Sequence, residues 1–330
     1  MVIWPYPTYI QNGKHQHIFI NKDFVSVETY LKHKRTEQYD AFILGNSRSI
    51  YYTIGEWEKW IKGKTPFHMD AAGETLWGIT AKLMLLDSLQ VPVSDVLIIT
   101  DPGSMKGIED VEMPLLVKHP ALSGRHWLSY QWIFLKSFLR WNFIFPYLDL
   151  KYGRGFQDYM RTWGVFDNYL LGYDSLTNEM TIPAIDNEIA SNPHAYYQKM
   201  KLNFDSVLHQ KGLNYPPLLD EKRKKLWLEI KEITNRKNIQ LRIVISPLFE
   251  GRPMALADEI WLEAIFGAGV VFNFTGENTI TKNRFNYYEN SHYRPHVATF
   301  ILNCIYSGKT NNQIKEIIQN EEVFKAQKND

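Results

Sequence analysis

Residues 39–50 read YDAFILGNSRSI. The run from Ala41 to Gly45 is too short for a core helix and has no polar face. Such a run is the pattern of a strand buried on both sides. It ends on Gly45-Asn46-Ser47-Arg48, and helical spacing begins over 49–61. A strand that feeds a helix through a short polar turn opens a βαβ unit.

The same alternation continues outward. Residues 67–70 suit a second strand. Residues 74–89 have helical periodicity, with Leu76, Ile79, Leu83 and Leu86 on one face. DVLIIT (95–100) and LRIVIS (241–246) are further buried strands, the latter preceded by a helical pattern over 221–237. A helix over 254–266, a strand over 269–274 (GVVFNF) and a helix over 295–306 follow, with Pro295 in a favourable first-turn position. Residues 313–327 suit a terminal helix. Five strands alternating with helices predict a flavodoxin-like, doubly wound parallel sheet. Such sheets place their sites outside the carboxyl ends of the strands.

The alternation stops between residues 119 and 220. From Trp127 to Tyr173, 16 of 47 residues are Phe, Trp or Tyr, against 14% for the chain. Trp127, Phe134, Phe138, Trp141 and Phe145 fall on one helical face. That face reads as core, as a lid over the site, or as a membrane-surface contact. Residues 174–195 are more polar and read as loop. The expected organisation is an arm (1–38), an α/β core (39–118 and 221–310), a helical, aromatic-rich insertion or lid (119–220) and a C-terminal helix (311–330).

The 330 residues are 45% hydrophobic and 22% charged, which excludes a disordered, collagen-like or coiled-coil chain. Thirty-seven basic and 36 acidic residues give a net charge of +1, so nothing suggests a nucleic-acid partner. Cys304 stands alone, which excludes an intrachain disulfide and a multi-cysteine zinc site. No run reaches the roughly 18 apolar residues of a membrane span, and the first residues do not read as a signal peptide. They could be the stump of a removed anchor.

Two motifs carry chemistry. Ser47 stands at the rim of the sheet, with its N–H at a helix start where a developing oxyanion is favoured. Read as structure alone, Asn46 and Ser47 are cap residues. Glu289-Asn290-Ser291-His292 follows the last strand. A carboxylate three residues before a histidine can bond Nδ1–H and leave Nε2 as a base. Read as structure alone, this is a solvated turn. His292 and His296 have a metal-pair spacing, but Pro295 interrupts it and no third ligand is evident, so no metal and no cofactor are expected.

As an ordered pair, these motifs resemble the SGNH (GDSL-like) hydrolase superfamily. YDAFILGNSRS, MDAAGET (69–75) and YYENSHYRPHVATFIL (287–302) are similar to a branch of bacterial envelope O-acyltransferases and D-alanyl transfer proteins. The resemblance covers roughly 39–116 and 239–306. It implies Ser47 as nucleophile, His292 as base, Glu289 as acid, and the N–H groups of Ser47 and Gly73 as oxyanion hole. It implies an esterase or acyltransferase acting on an acylated glycan or similar ester, a membrane-bound acyltransferase as partner, and an extracytoplasmic, cell-envelope location. Asn46 and Glu289 each stand where the family has aspartate. After the third strand the family's Gly-x-Asn is missing, and Asp101 is there instead. An anionic Asp101 would repel an oxyanion unless turned away, or it could order the loops. That departure also admits a catalytically inert scaffold of the same fold. Arg48 and Arg294 each adjoin a triad candidate. They could hold a substrate anion, but pairing with Glu289 or Asp101 is the preferred reading.

Overall fold

The computed structural model describes residues 21–162 and 172–320. The first 20 residues of the expected arm, residues 163–171 of the aromatic cluster, and the end of the expected terminal helix lie outside the described residues.

Five parallel strands form the central sheet: β1 (Ala41–Gly45), β2 (Pro66–His68), β3 (Asp95–Thr100), β4 (Gln240–Ile245) and β5 (Val271–Asn273). Their order is β2-β1-β3-β4-β5. This is the α/β, flavodoxin-like doubly wound sheet expected from the strand pattern, and its order is consistent with the SGNH-hydrolase-like topology that the resemblance implies. Phe42 of β1 sits in register with Phe67 of β2 and Val96 of β3.

Successive side chains on a strand point to opposite faces, so a sheet covered on both sides needs apolar residues at every position. Ala41, Ile43, Leu97, Ile99, Val244 and Phe272 face one core, completed by α7 (Pro295–Ile305) and α8 (Asn311–Gln319). Phe42, Leu44, Val96, Ile98, Ile243 and Ile245 face the other. That core is completed by α1 (Lys22–Glu37), α2 (Leu76–Ser88), α5 (Glu221–Arg236) and α6 (Leu256–Phe266).

Four local expectations are corrected. Residues 22–37, read as an arm or a short leading element, are the helix α1, packed on the sheet with Val27 and Tyr30 fully buried. It looks polar because its second half carries exposed and half-exposed polar side chains, while Lys22 and Asp23 at its start are charged yet buried and paired. The helix expected over 49–61 is a 3₁₀ turn (Ser47–Tyr51) and one helical turn (Ile54–Trp57), because Tyr52 leaves helical geometry at φ −87°, ψ 80°.

The aromatic stretch is two helices, α3 (Trp127–Phe138) and α4 (Trp141–Tyr152), broken where Arg140 is extended at φ −71°, ψ 137°. The break takes the five aromatics out of one register. Phe134 is buried and Phe138 half-buried, but Trp141 is exposed. Finally, 174–195 is not all loop. A short ribbon pairs Gly172–Tyr173 with Met180–Thr181, and Pro183 starts a helix (Pro183–Ser191) followed by two more, Pro193–Lys199 and Lys201–Asp205. Pro183 and Pro193 open these helices, where a missing N–H costs nothing.

Candidate active site

The turn after β1 begins with a glycine that sterics require. A Cβ on Gly45, at φ +153°, would lie 2.3 Å from the carbonyl oxygen of Ile99 on β3. Asn46 then caps the 3₁₀ turn, accepting from the Arg48 N–H at 3.0 Å. Ser49 Oγ donates to the Asn46 carbonyl at 2.6 Å. Ser47 is left at the tip, partly exposed, between two buried neighbours.

The second loop, 287–294, is closed on itself. Tyr288 N–H donates to the His292 carbonyl at 2.9 Å, and Arg294 N–H to the Asn286 carbonyl at 2.8 Å. This closure presents His292 across the carboxyl edge of the sheet to Ser47. Ser47 Oγ lies 2.6 Å from His292 Nε2. On the other side of the ring, Nδ1 bonds Glu289 Oε1. Ionised Glu289 can only accept, so Nδ1 carries the proton and the Nε2 lone pair faces the serine hydroxyl. The edge of the His292 ring also packs on buried Tyr51, with centroids 6.2 Å apart.

Burial pushes the Glu289 carboxyl upward. The hydrogen bond from His292, its charge, and the Ser291 N–H at 3.0 Å outweigh burial and hold it below its ordinary 4.5. Glu289 is therefore a carboxylate at neutral pH.

The loop after β2 supplies Gly73. Ala71 N–H donates to the Gly45 carbonyl at 3.0 Å, which extends the strand pairing toward the site. Gly73 then turns at φ +59°, in the left-handed region that favours glycine. Among the described residues, neither the Ser47 nor the Gly73 N–H has a hydrogen-bond acceptor. Both flanks of this loop are tied down. Asp70 Oδ2 accepts from Ser49 Oγ at 3.2 Å, and Lys22 lies 3.5 Å from Asp70 Oδ1. Glu74 is fully buried against Lys82 and Lys118.

Asp101 is turned to the loops. Its Oδ2 accepts from Arg48 Nη1 at 2.7 Å, Asn46 Nδ2 at 2.6 Å and Ser104 Oγ at 2.6 Å. Its Oδ1 accepts from the N–H groups of Gly103 at 2.7 Å and Ser104 at 3.2 Å. Arg48 continues the chain, donating from Nε to the Ser291 carbonyl at 2.8 Å and from Nη2 to Ser291 Oγ at 3.1 Å. The nucleophile turn, the β3 loop and the base loop are thus joined through one guanidinium and one carboxylate.

Arg294 pairs neither with Glu289 nor with Asp101. It lies 3.9 Å from Asp186 of the insertion. His296 points away from His292 and bonds Asn286 Oδ1 at 3.1 Å. Burial, helped by Arg294, pushes its imidazole down to about 4, so it is neutral at physiological pH. Among the described residues, no group of three or more His, Cys, Asp or Glu could hold a metal ion.

Several residues at the site gave no signal in the sequence. Tyr196 and Tyr197 donate to the carbonyls of Tyr288 and Tyr287, each at 2.9 Å. Asn203 accepts from the Asn290 N–H at 2.8 Å. The part of the insertion that meets the base loop is therefore 186–206, since Asp186 and Ser206 also bond it. The inner face of α3 packs instead on Phe24 and Val117.

No family model matches the chain, and no curated protein matches it.

Proposed function

We propose that this protein is a serine-nucleophile acyl-transfer enzyme. The observation that carries the reading is the line Ser47–His292–Glu289, with 2.6 Å between Ser47 Oγ and His292 Nε2 and a carboxylate on Nδ1. His292 takes the hydroxyl proton as Ser47 Oγ bonds to an ester carbonyl carbon. The carbonyl oxygen becomes an oxyanion beside the unpaired N–H groups of Ser47 and Gly73. Collapse of this adduct breaks the ester bond, and His292 returns the proton to the leaving alcohol. Water, or a sugar hydroxyl, then takes the acyl group by the same steps. The sequence resemblance supports an acylated glycan or similar ester as substrate, in the cell envelope with a membrane-bound acyltransferase as partner. Burial of Glu289 in its ionised form supports a stable imidazolium during turnover.

A second reading has one observation in its favour. A carboxylate, Asp101, follows β3 where the resemblance calls for an amide donor. On that reading the chain binds an acylated ligand without turning it over.

The experiment that tests both is Ser47→Ala with p-nitrophenyl acetate and a fluorophosphonate probe. The enzyme reading expects wild-type hydrolysis and covalent labelling, both lost in the variant with little change in stability, since Ser47 is half-exposed. Equal rates in both proteins would place any activity elsewhere. No rate and no labelling in either would leave the binding reading.

A further inference from the structure

The helix pair α3–α4 has two apolar sides. On its inner side, Tyr130, Ile133 and Phe134 of α3 pack with Phe24 and Val117. Phe143, Tyr147 and Leu150 of α4 pack around Met160 with Phe156 and Tyr159. The outer side of α4 is a second stripe at spacings of four, three and four: Trp141 (72% exposed), Phe145, Leu148 and Tyr152 (74% exposed). On α3, Leu128 (71% exposed) and Trp132 (54% exposed) share a face with Lys136.

The charges beside these side chains are one-sided. Across 127–154 there are four basic residues, Lys136, Arg140, Lys151 and Arg154, and one acid, Asp149, a net of +3 against +1 for the whole chain. All four bases are exposed. Asp149 is already occupied, accepting from Arg154 Nη2 at 3.1 Å and Tyr159 Oη at 2.8 Å. Each helix has 12 residues, about 18 Å of length at 1.5 Å per residue, too short for a hydrocarbon core of roughly 30 Å. No helix among the described residues is long and apolar enough to cross a membrane.

We infer that the outer side of α3–α4 is a binding surface for an anionic lipid bilayer, on which the helices lie flat. Exposed Trp and Tyr rings suit the boundary between head groups and acyl chains. Leu128, Phe145 and Leu148 enter the apolar layer, while Lys136, Arg140 and Lys151 extend their charged ends to lipid phosphates. The unpaired charge here is all of one sign.

The test uses the full chain and vesicles of phosphatidylcholine with about a third phosphatidylglycerol. The protein should sediment with these vesicles, shift its tryptophan emission to the blue, and bind pure phosphatidylcholine more weakly. Lys136→Glu with Arg140→Glu should lower the partition by about tenfold or more. Trp132→Ser with Trp141→Ser should also weaken binding and remove most of the blue shift. All four positions are exposed, so circular dichroism and thermal midpoint should hold. Ser47→Ala should bind like the wild type, which keeps this result separate from the fate of the enzyme reading. Absence of sedimentation overturns the inference. So does binding that both double variants leave unchanged, because the contact would then lie elsewhere. A micromolar dimer broken by the tryptophan variant, without vesicle binding, would also overturn it.

Discussion

Asp101 decides how the site is wired, and its charge can be tested by sign. If its carboxylate opposed the oxyanion, Asp101→Asn would raise turnover. The geometry expects the opposite. Five donors converge on this carboxylate, and Arg48 is buried beside it. Removing one partner of a buried ion pair leaves the other uncompensated, at a cost of about 3 kcal/mol. Asp101→Asn should therefore lower the urea midpoint and reduce kcat as the Ser291 anchor loosens. Increased turnover would refute the clamp. Glu289 gives a second test. Its folded pKa is depressed, so its contribution to stability is fully present above about 4.5 and is lost as pH falls through the folded value. Glu289→Gln should remove that part of the acid-side loss of thermal midpoint. It should also cut kcat by about 10²–10⁴, because the ring then loses its tautomer-fixing acceptor. A midpoint profile unchanged by the substitution would contradict the linkage. Ser47, Glu289 and His292 were legible because each lies in a short motif at an element junction. Asp101 was legible only as a charge, since a sequence gives the sign of a group and not its donors.

Elements that surround the site were read unevenly, for a physical reason. The five strands stand out because a doubly covered sheet demands unbroken apolar runs, and each found strand lies within two residues of its expected place. The three helices of 183–205 are short, and two of them open with a proline, so their spacing carried no period to detect. They nevertheless hold the base loop. Tyr197 Oη bonds the carbonyls of Tyr287 at 2.9 Å and Phe285 at 3.2 Å, within a buried site. Tyr197→Phe keeps the ring contact with Phe285, whose centroid is 4.7 Å away, and removes only the hydroxyl. One buried carbonyl then loses a donor, at a cost of about 1–3 kcal/mol. The expected result is a lower unfolding midpoint and faster amide exchange at 285–288, with the sheet strands unaffected. Exchange that rises uniformly across the molecule would show that the loop is not held locally. The aromatic stretch failed differently. Its period was real on each side of Arg140, but one extended residue rotates everything after it.

At the scale of the whole molecule, α1 is attached by charge as much as by apolar packing. Asp23 of α1 lies 3.0 Å from Lys82 of α2 and 3.5 Å from Lys118, and both lysines also pair with Glu74. All four are buried. Burial alone would discharge Lys82, but Asp23 and Glu74 outweigh it and hold its pKa above the ordinary lysine value. Burial likewise raises Asp23, and the two lysines bring it back below the ordinary value. The four charges cancel, two against two, so the cluster tolerates its depth only as a complete set. Lys82→Met keeps most of the side-chain volume but leaves two carboxylates facing one ammonium. It should cost about 3–5 kcal/mol. Glu74→Gln alone should also destabilise, since it leaves Lys82 and Lys118 against Asp23. The double variant restores one positive against one negative charge. It should therefore be less unstable than the two single losses summed, with a coupling of about 1–3 kcal/mol. Urea unfolding of the four proteins closes the cycle. Strict additivity would mean that the four charges act independently rather than as one set.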